Sequence, residues 1–97
     1  MASEHSQAEN RRDETDSVLR QVLAEILALD PARVARFDAE TGLFGDLPEL
    51  DSMAVAGLLT EIEDRLGIII EDDEVDTDML ETYGALVTFV RSKRGQS

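Results

Sequence analysis

The sequence predicts an all-α fold: a four-helix bundle of three long helices and one short helix, with a long loop between the first and second helices. Three observations lead there. Apolar residues recur at helical spacing in three separated segments. No pair of segments alternates as two pairing strands do; Ile68-Ile69-Ile70 favours extended backbone but has no second strand to join. Each apolar stripe needs a partner, because no single helix buries its own apolar face.

The elements follow in order. Residues 1–15 are polar and short of large apolar groups, and read as a disordered leader in which His5, the sole histidine, is incidental. The globular unit is expected over 16–94, with 95–97 as a tail. Val18, Leu19, Val22, Leu23, Ile26 and Leu27 form the first helical stripe; Asp16 or Ser17 is the expected N-cap, and Asp30-Pro31 ends the element. From Asp30 to Leu50 no period is sustained. Val34, Phe37, Leu43, Phe44, Leu47 and Leu50 nonetheless predict an ordered loop pinned across the helices, with one short turn around Ala32 to Phe37. The second helix is expected from Ser52 to Leu66, burying Val55, Leu58, Leu59, Ile62 and Leu66 and stopping at Gly67. A packed connector then leads to a short helix around Val75, Met79 and Leu80. Thr82 caps a last helix that turns Tyr83, Leu86, Val87 and Val90 inward.

Composition narrows the function. The chain has no cysteine, which excludes a disulfide framework and thiolate chemistry. Its formal charge is −13, and the distribution is uneven: Asp38 to Glu81 holds fifteen acids against one base, Arg65. Phosphate backbones and anionic membrane surfaces are recognised by Lys and Arg, so nucleic acid and membranes are not the expected partners. A concentrated acidic segment instead suits basic patches on other proteins, or simply keeps the surface solvated. Neither a signal peptide nor a run of transmembrane length is visible, and a cytoplasmic location is expected.

The chemistry turns on Ser52, in "GDLPELDSMAVAGLLTEIEDRLG". A serine nucleophile needs a positioned base, yet His5 lies in the leader and the one lysine, Lys93, near the far end; the context L-D-S-M-A lacks the glycine-flanked elbow. A self-sufficient serine enzyme is excluded. "EDDEVDTDMLE" does not make a calcium loop either. Starting at Asp72, Thr77 stands where glycine is required and Tyr83 where a bidentate glutamate is required; starting at Asp76, the last ligand is Val87. No dedicated metal site is expected. Two readings of Ser52 remain. Asp51 caps the helix and Ser52 is a tolerated first-turn residue, or Ser52 carries a covalent phosphodiester where unpaired amides and the helix dipole favour an anion.

The order of elements around "LDSM", followed by "LLTEIEDRLGIII", resembles the acyl carrier protein family, over about Asp16 to Arg94. The resemblance implies a non-catalytic carrier. Ser52 would bear 4'-phosphopantetheine, delivered from coenzyme A by a separate phosphopantetheinyl transferase, and Asp51 would be the motif residue before it. Met53 matches the apolar residue that meets partners; Glu61, Glu63 and Asp64 are candidate partner contacts. The implied partners are the transferase, an acyl-loading ligase or acyltransferase and downstream acyl-processing enzymes, and the implied state is a monomer. The resemblance also implies a space between the second and third helices that shelters an acyl chain. Two departures point away from general fatty-acid synthase partners: the usual acids two and five residues after the serine are Ala54 and Gly57 here, and "LPEL" leads into the motif. D-S-M also resembles the D-alanyl carrier branch, which leaves an aminoacyl cargo open. An unmodified acidic helical adaptor, in which Ser52 is a bystander, is the alternative from another class.

Overall fold

The computed structural model describes the backbone of residues 3–95 and the side chains of residues 14–95. Among the described residues there are four α-helices: α1 (Ser3–Ile26), α2 (Pro31–Ala35), α3 (Ser52–Leu66) and α4 (Tyr83–Gly95). Two single 3-10 turns, Asp72–Glu74 and Asp78–Leu80, lie between α3 and α4. Among the described residues there is no strand, only one isolated bridge between Gly42 and Thr82. The all-α bundle with three long helices is therefore as the sequence predicts. Among the described residues, no helix is long and apolar enough to cross a membrane.

α1 does not begin at Asp16 or Ser17. Its backbone is already helical from Ser3, and this corrects the expected cap. The segment before Asp16 contains neither glycine nor proline and includes the good helix formers Glu9, Arg11, Arg12 and Glu14, so nothing in it stops a helix once the amphipathic part has nucleated one. Arg94 of α4 also holds this region, donating to Thr15 Oγ1 at 2.7 Å and pairing with Glu14 at 2.9 Å. The side chain of His5 and residues 96–97 of the expected tail lie outside the described residues.

The far end of α1 closes before Asp30. Leu27 N–H donates to Leu23 O and Leu29 N–H to Ala24 O, while Ala28 sits in the left-handed region at φ 55°. This is the Schellman closure, with alanine where glycine is usual. Asp30 instead starts the next element. Its carboxylate accepts from Ala32 N–H at 2.9 Å, and Pro31 occupies the first position of α2, where a missing N–H costs nothing. The short turn expected around Ala32 to Phe37 is this helix.

One core unites the elements. α1 and the turn that closes it supply Leu19, Val22, Leu23 and Leu27, α3 supplies Leu58, Leu59 and Ile62, and α4 supplies Tyr83, Leu86, Val87 and Val90, all buried. The long loop contributes Val34, Phe37, Leu43, Leu47 and Leu50, and so is pinned as its apolar content predicts. Ile68 and Ile70 are buried while Ile69 between them is exposed, the two-residue alternation of an extended connector. The short helix expected around Val75 to Leu80 is instead the two 3-10 turns. Seven acids between Glu71 and Glu81 repel one another along a helix face, and the isolated turns spread them apart.

Arg20 is a hub that the apolar pattern of α1 conceals. Its Nε–H donates to both Asp16 oxygens at 3.0 Å, and its terminal nitrogens donate to Val34 O at 2.7 Å and Phe37 O at 2.9 Å. The guanidinium stacks 4.7 Å from the centre of the Tyr83 ring, which meets Phe37 edge-on. Tyr83 Oη–H donates to Asp16 Oδ1 at 2.6 Å. One side chain thus joins α1, α2, the loop and α4.

Candidate functional site

The start of α3 is held from below and left open above. On the approach side, Leu43 N–H donates to Glu81 O at 2.9 Å and Phe44 N–H to Leu80 O at 2.8 Å. In return, Tyr83 N–H donates to Thr41 O at 2.8 Å and Gly84 N–H to Ala39 O at 2.9 Å. These bonds stitch the loop to the start of α4, and Leu47 and Leu50 bury its last turn. The loop therefore delivers Asp51 as part of the packed body of the protein.

Asp51 adopts extended backbone, and its carboxylate accepts from Ala54 N–H at 2.8 Å. The N-cap is thereby filled, an arrangement that stabilises a helix by about 1 kcal/mol. Ser52, the next residue, has no capping duty. It is exposed at the first position of the helix, and its hydroxyl makes no hydrogen bond among the described residues. The remaining first-turn amides have no acceptor in the preceding turn, so this end attracts an anion. Met53 stands 85% exposed beside it. At the other end, Gly67 closes α3 in the left-handed conformation at φ 65°.

Next to Ser52 lies an open cleft of about 230 Å³. Phe44, Val55, Val75 and Leu80 give it apolar walls, with Ser52, Asp76 and Thr77 at its edges. Asp76, two residues before the second 3-10 turn, accepts from Met79 N–H at 3.0 Å. The cleft thus runs between α3 and the 3-10 segment, where the resemblance implied a space for a chain. Sequence reading assigned Phe44, Val55, Val75 and Leu80 to packing; it contained no signal that they leave a cleft, because a gap depends on how two elements are spaced.

The residues singled out from the sequence divide into two groups. Asp51, Ser52 and Met53 are consecutive around the opening of α3. Glu61, Glu63 and Asp64 lie two turns and more away, and only Asp64 is exposed without an ion pair among the described residues. Glu61 pairs with Arg65 at 2.8 Å, and the same arginine reaches Glu25 of α1. Glu63 accepts from Ile70 N–H at 2.7 Å, which fastens the connector to the helix it has just left. Two of the three acids therefore serve the fold.

Electrostatics elsewhere are those of a scaffold. Burial works against the Asp16 carboxylate, but the hydrogen bonds from Tyr83 and Arg20, aided by the charges of Arg20 and Arg91, hold its pKa below the usual range. Burial first, and Asp16 second, push the Tyr83 phenol above its ordinary value. Lys93 and the Glu71 N–H keep Glu74 charged below its usual range. None of these groups lines the cleft beside Ser52, and no cluster of three metal-ligating side chains exists among the described residues.

Comparison with known proteins agrees with this geometry. The family described as "Phosphopantetheine attachment site" matches residues 17–90. The solution structure of a holo acyl carrier protein from Nitrosomonas europaea superposes with a TM-score of 0.75 at 34% sequence identity. The match covers 84% of this chain and 95% of that one. No curated protein sequence matches significantly.

Proposed function

The chain belongs to the phosphopantetheine-attachment family, and on that premise we propose that Ser52 is the residue that takes the prosthetic group. A member of this family is a carrier rather than an enzyme: 4'-phosphopantetheine is attached covalently, and the thiol it supplies holds cargo as a thioester. The observation that carries the assignment is the division of labour at the opening of α3, where Asp51 occupies the cap and leaves the Ser52 hydroxyl exposed and unbonded.

Ser52 Oγ forms a new bond to phosphorus as the pyrophosphate of coenzyme A breaks. The hydroxyl proton passes to the transferase, and adenosine 3',5'-bisphosphate leaves. Once attached, the phosphodiester would be anionic, and the first turn of α3 would favour that charge at the positive end of its dipole. Asp51 keeps the helix start in register. The carrier unit is residues 16–94, and the polar residues before it extend its first helix.

The cargo is an acyl group. The apolar cleft beside Ser52 supports this over the aminoacyl alternative, because burying a free ammonium among Phe44, Val55, Val75 and Leu80 is costly while a short alkyl chain gains from it. Partner enzymes load and process that group. They meet the carrier at Met53 and along α3, with Asp64 as the exposed acid and with Glu61 and Glu63 contributing charge while already bonded within the fold.

The test is intact mass before and after incubation with coenzyme A, Mg2+ and a broad-specificity transferase, with Ser52→Ala as control. Gain of one phosphopantetheine by the wild type alone is expected. Modification of the Ser52→Ala protein, or a folded wild type that stays apo with several transferases, sinks the assignment and favours the acidic adaptor.

A further inference from the structure

Lys93 is the sole lysine of the chain, and its ammonium is not left to solvent. The side chain is only 13% exposed, and a lysine is seldom so covered unless it is paired. Its Nζ donates to both carboxylate oxygens of Glu74 at 2.8 Å. Glu74 also accepts from Glu71 N–H at 2.9 Å, so one acid gathers the first 3-10 turn and fastens it to α4. Val75, the next residue, lines the cleft beside Ser52. Lys93 thus reaches the cleft wall through two consecutive residues.

That reach matters because the wall has little else to hold it. Residues 71–78 carry six acids and one large apolar side chain, Val75. Ile70 before them and Met79 after them are buried, but none of the eight is. Their other hydrogen bonds among the described residues stay within the segment or run to Met79, Leu80 and Glu81 just beyond it. Lys93 alone, among the described residues, bonds the segment to a helix. Six like charges favour moving apart, and half-buried Val75 gives the only apolar hold against the core. An acyl chain in the cleft would press on that same side chain.

Resting on an acyl cargo carried at Ser52, we propose that Lys93 is a positioning residue that sets the size of acyl chain the cleft accepts, acting through Glu74 and Val75. With the pair intact, the wall stands close to α3 and encloses about 230 Å³, which suits short chains. With the pair broken, the acids carry the wall outward. Long chains then gain room, while short chains lose their contacts on one side. The other base at the end of α4 does not substitute, because Arg94 turns to Thr15 and Glu14 of α1.

The experiment loads full-length wild type, Lys93→Met, Lys93→Arg and Glu74→Gln from butyryl-, octanoyl- and dodecanoyl-coenzyme A with a broad-specificity transferase. Hydroxylamine cleavage of each thioester, relative to the same acyl pantetheine free in solution, reports how well the chain is sheltered; circular dichroism reports folding. Lys93→Met is expected to lower the dodecanoyl-to-butyryl ratio of cleavage rates about fivefold. Glu74→Gln shifts it the same way, and Lys93→Arg keeps the wild-type ratio. An unchanged ratio in Lys93→Met or in Glu74→Gln overturns the proposal; if Lys93→Met does not fold, Glu74→Gln decides. Equal loss of shelter for all three chains also overturns it, because the pair would then serve stability alone. So does a Lys93→Arg protein that behaves as Lys93→Met. A wild type loaded elsewhere than Ser52, or not at all, removes the assignment of Ser52 instead. A loaded wild type whose thioesters are cleaved as fast as the free compounds removes the sheltered cargo, and this proposal with it.

Discussion

Two regions of this protein use polar side chains in opposite ways. Around Arg20, the polar groups are engaged: a guanidinium, a carboxylate, a phenol, a carbonyl of α2 and a carbonyl of the loop satisfy one another across four elements. Around Ser52, the polar groups are kept apart. Asp51 is spent on Ala54 N–H, the hydroxyl is left bare, and the neighbouring side chains are Met53 and the apolar wall of a cleft. The first arrangement fixes a platform. The second leaves chemistry to whatever arrives. A carrier needs both, and the separation means that stability and modification respond to different substitutions.

Two substitutions test that separation most directly. Ser52→Ala abolishes pantetheinylation yet shifts stability by less than about 0.5 kcal/mol, because an exposed residue with no partner is removed. Arg20→Met does the reverse. It strands the carbonyls of Val34 and Phe37 and unpairs Asp16, which costs about 2–4 kcal/mol in urea unfolding. Whatever fraction remains folded is still modified at the wild-type rate. If Arg20→Met slowed modification of the folded protein as strongly as it destabilised it, the two regions would be coupled and the comparison would fail.

A smaller effect belongs to pH. Asp16 titrates below the usual range in the folded chain, so its contribution is present above the unfolded pKa and is lost as pH falls through the folded value. Tyr83 titrates above its ordinary value, so its contribution holds below the unfolded pKa and is lost as pH rises through the folded one. Since the Asp16 side chain is 39% exposed, solvent screening limits its share to about 1 kcal/mol or less. Asp16→Asn is expected to flatten the acid limb of the stability curve, measured as urea midpoints from neutral pH downward, while the Ser52 region adds nothing to that limb. The smallest change expected is at Ala28. Replacing it with glycine relieves left-handed strain at the end of α1 but loosens the unfolded chain, a net gain of no more than about 0.5 kcal/mol in the same assay.

The helices and the position of Ser52 were legible because both depend on local order. Period, caps and stops lie within a few residues of one another, as with Asp51, Thr82 and Gly67. Thr82 Oγ1 does accept from Ala85 N–H at 3.1 Å, as its place before the last stripe suggests. What stayed hidden is non-local. Arg20 reads as a stray charge in an apolar stripe, and nothing in the chain announces that carbonyls fourteen and seventeen residues on will need it. Glu63 looks like a surface acid until the connector folds back and Ile70 N–H meets it. The start of α1 was misplaced for another reason: amphipathicity marks where a helix is buried, not where it begins.

The two 3-10 turns that replace a helix between α3 and α4 have a mechanical consequence. An α-helix moves as a body, because each turn is locked to the next by overlapping bonds. Here one bond, Val75 N–H to Asp72 O at 3.2 Å, ends the first turn, and another, Leu80 N–H to Thr77 O at 3.2 Å, belongs to the second. Val75, Asp76, Thr77 and Leu80 line the cleft from these turns and the link between them. One side of the cleft is therefore built of two short turns fastened separately, the first through Glu74 to Lys93 and the second through Leu80 O to Phe44 N–H, while the side opposite is a continuous helix.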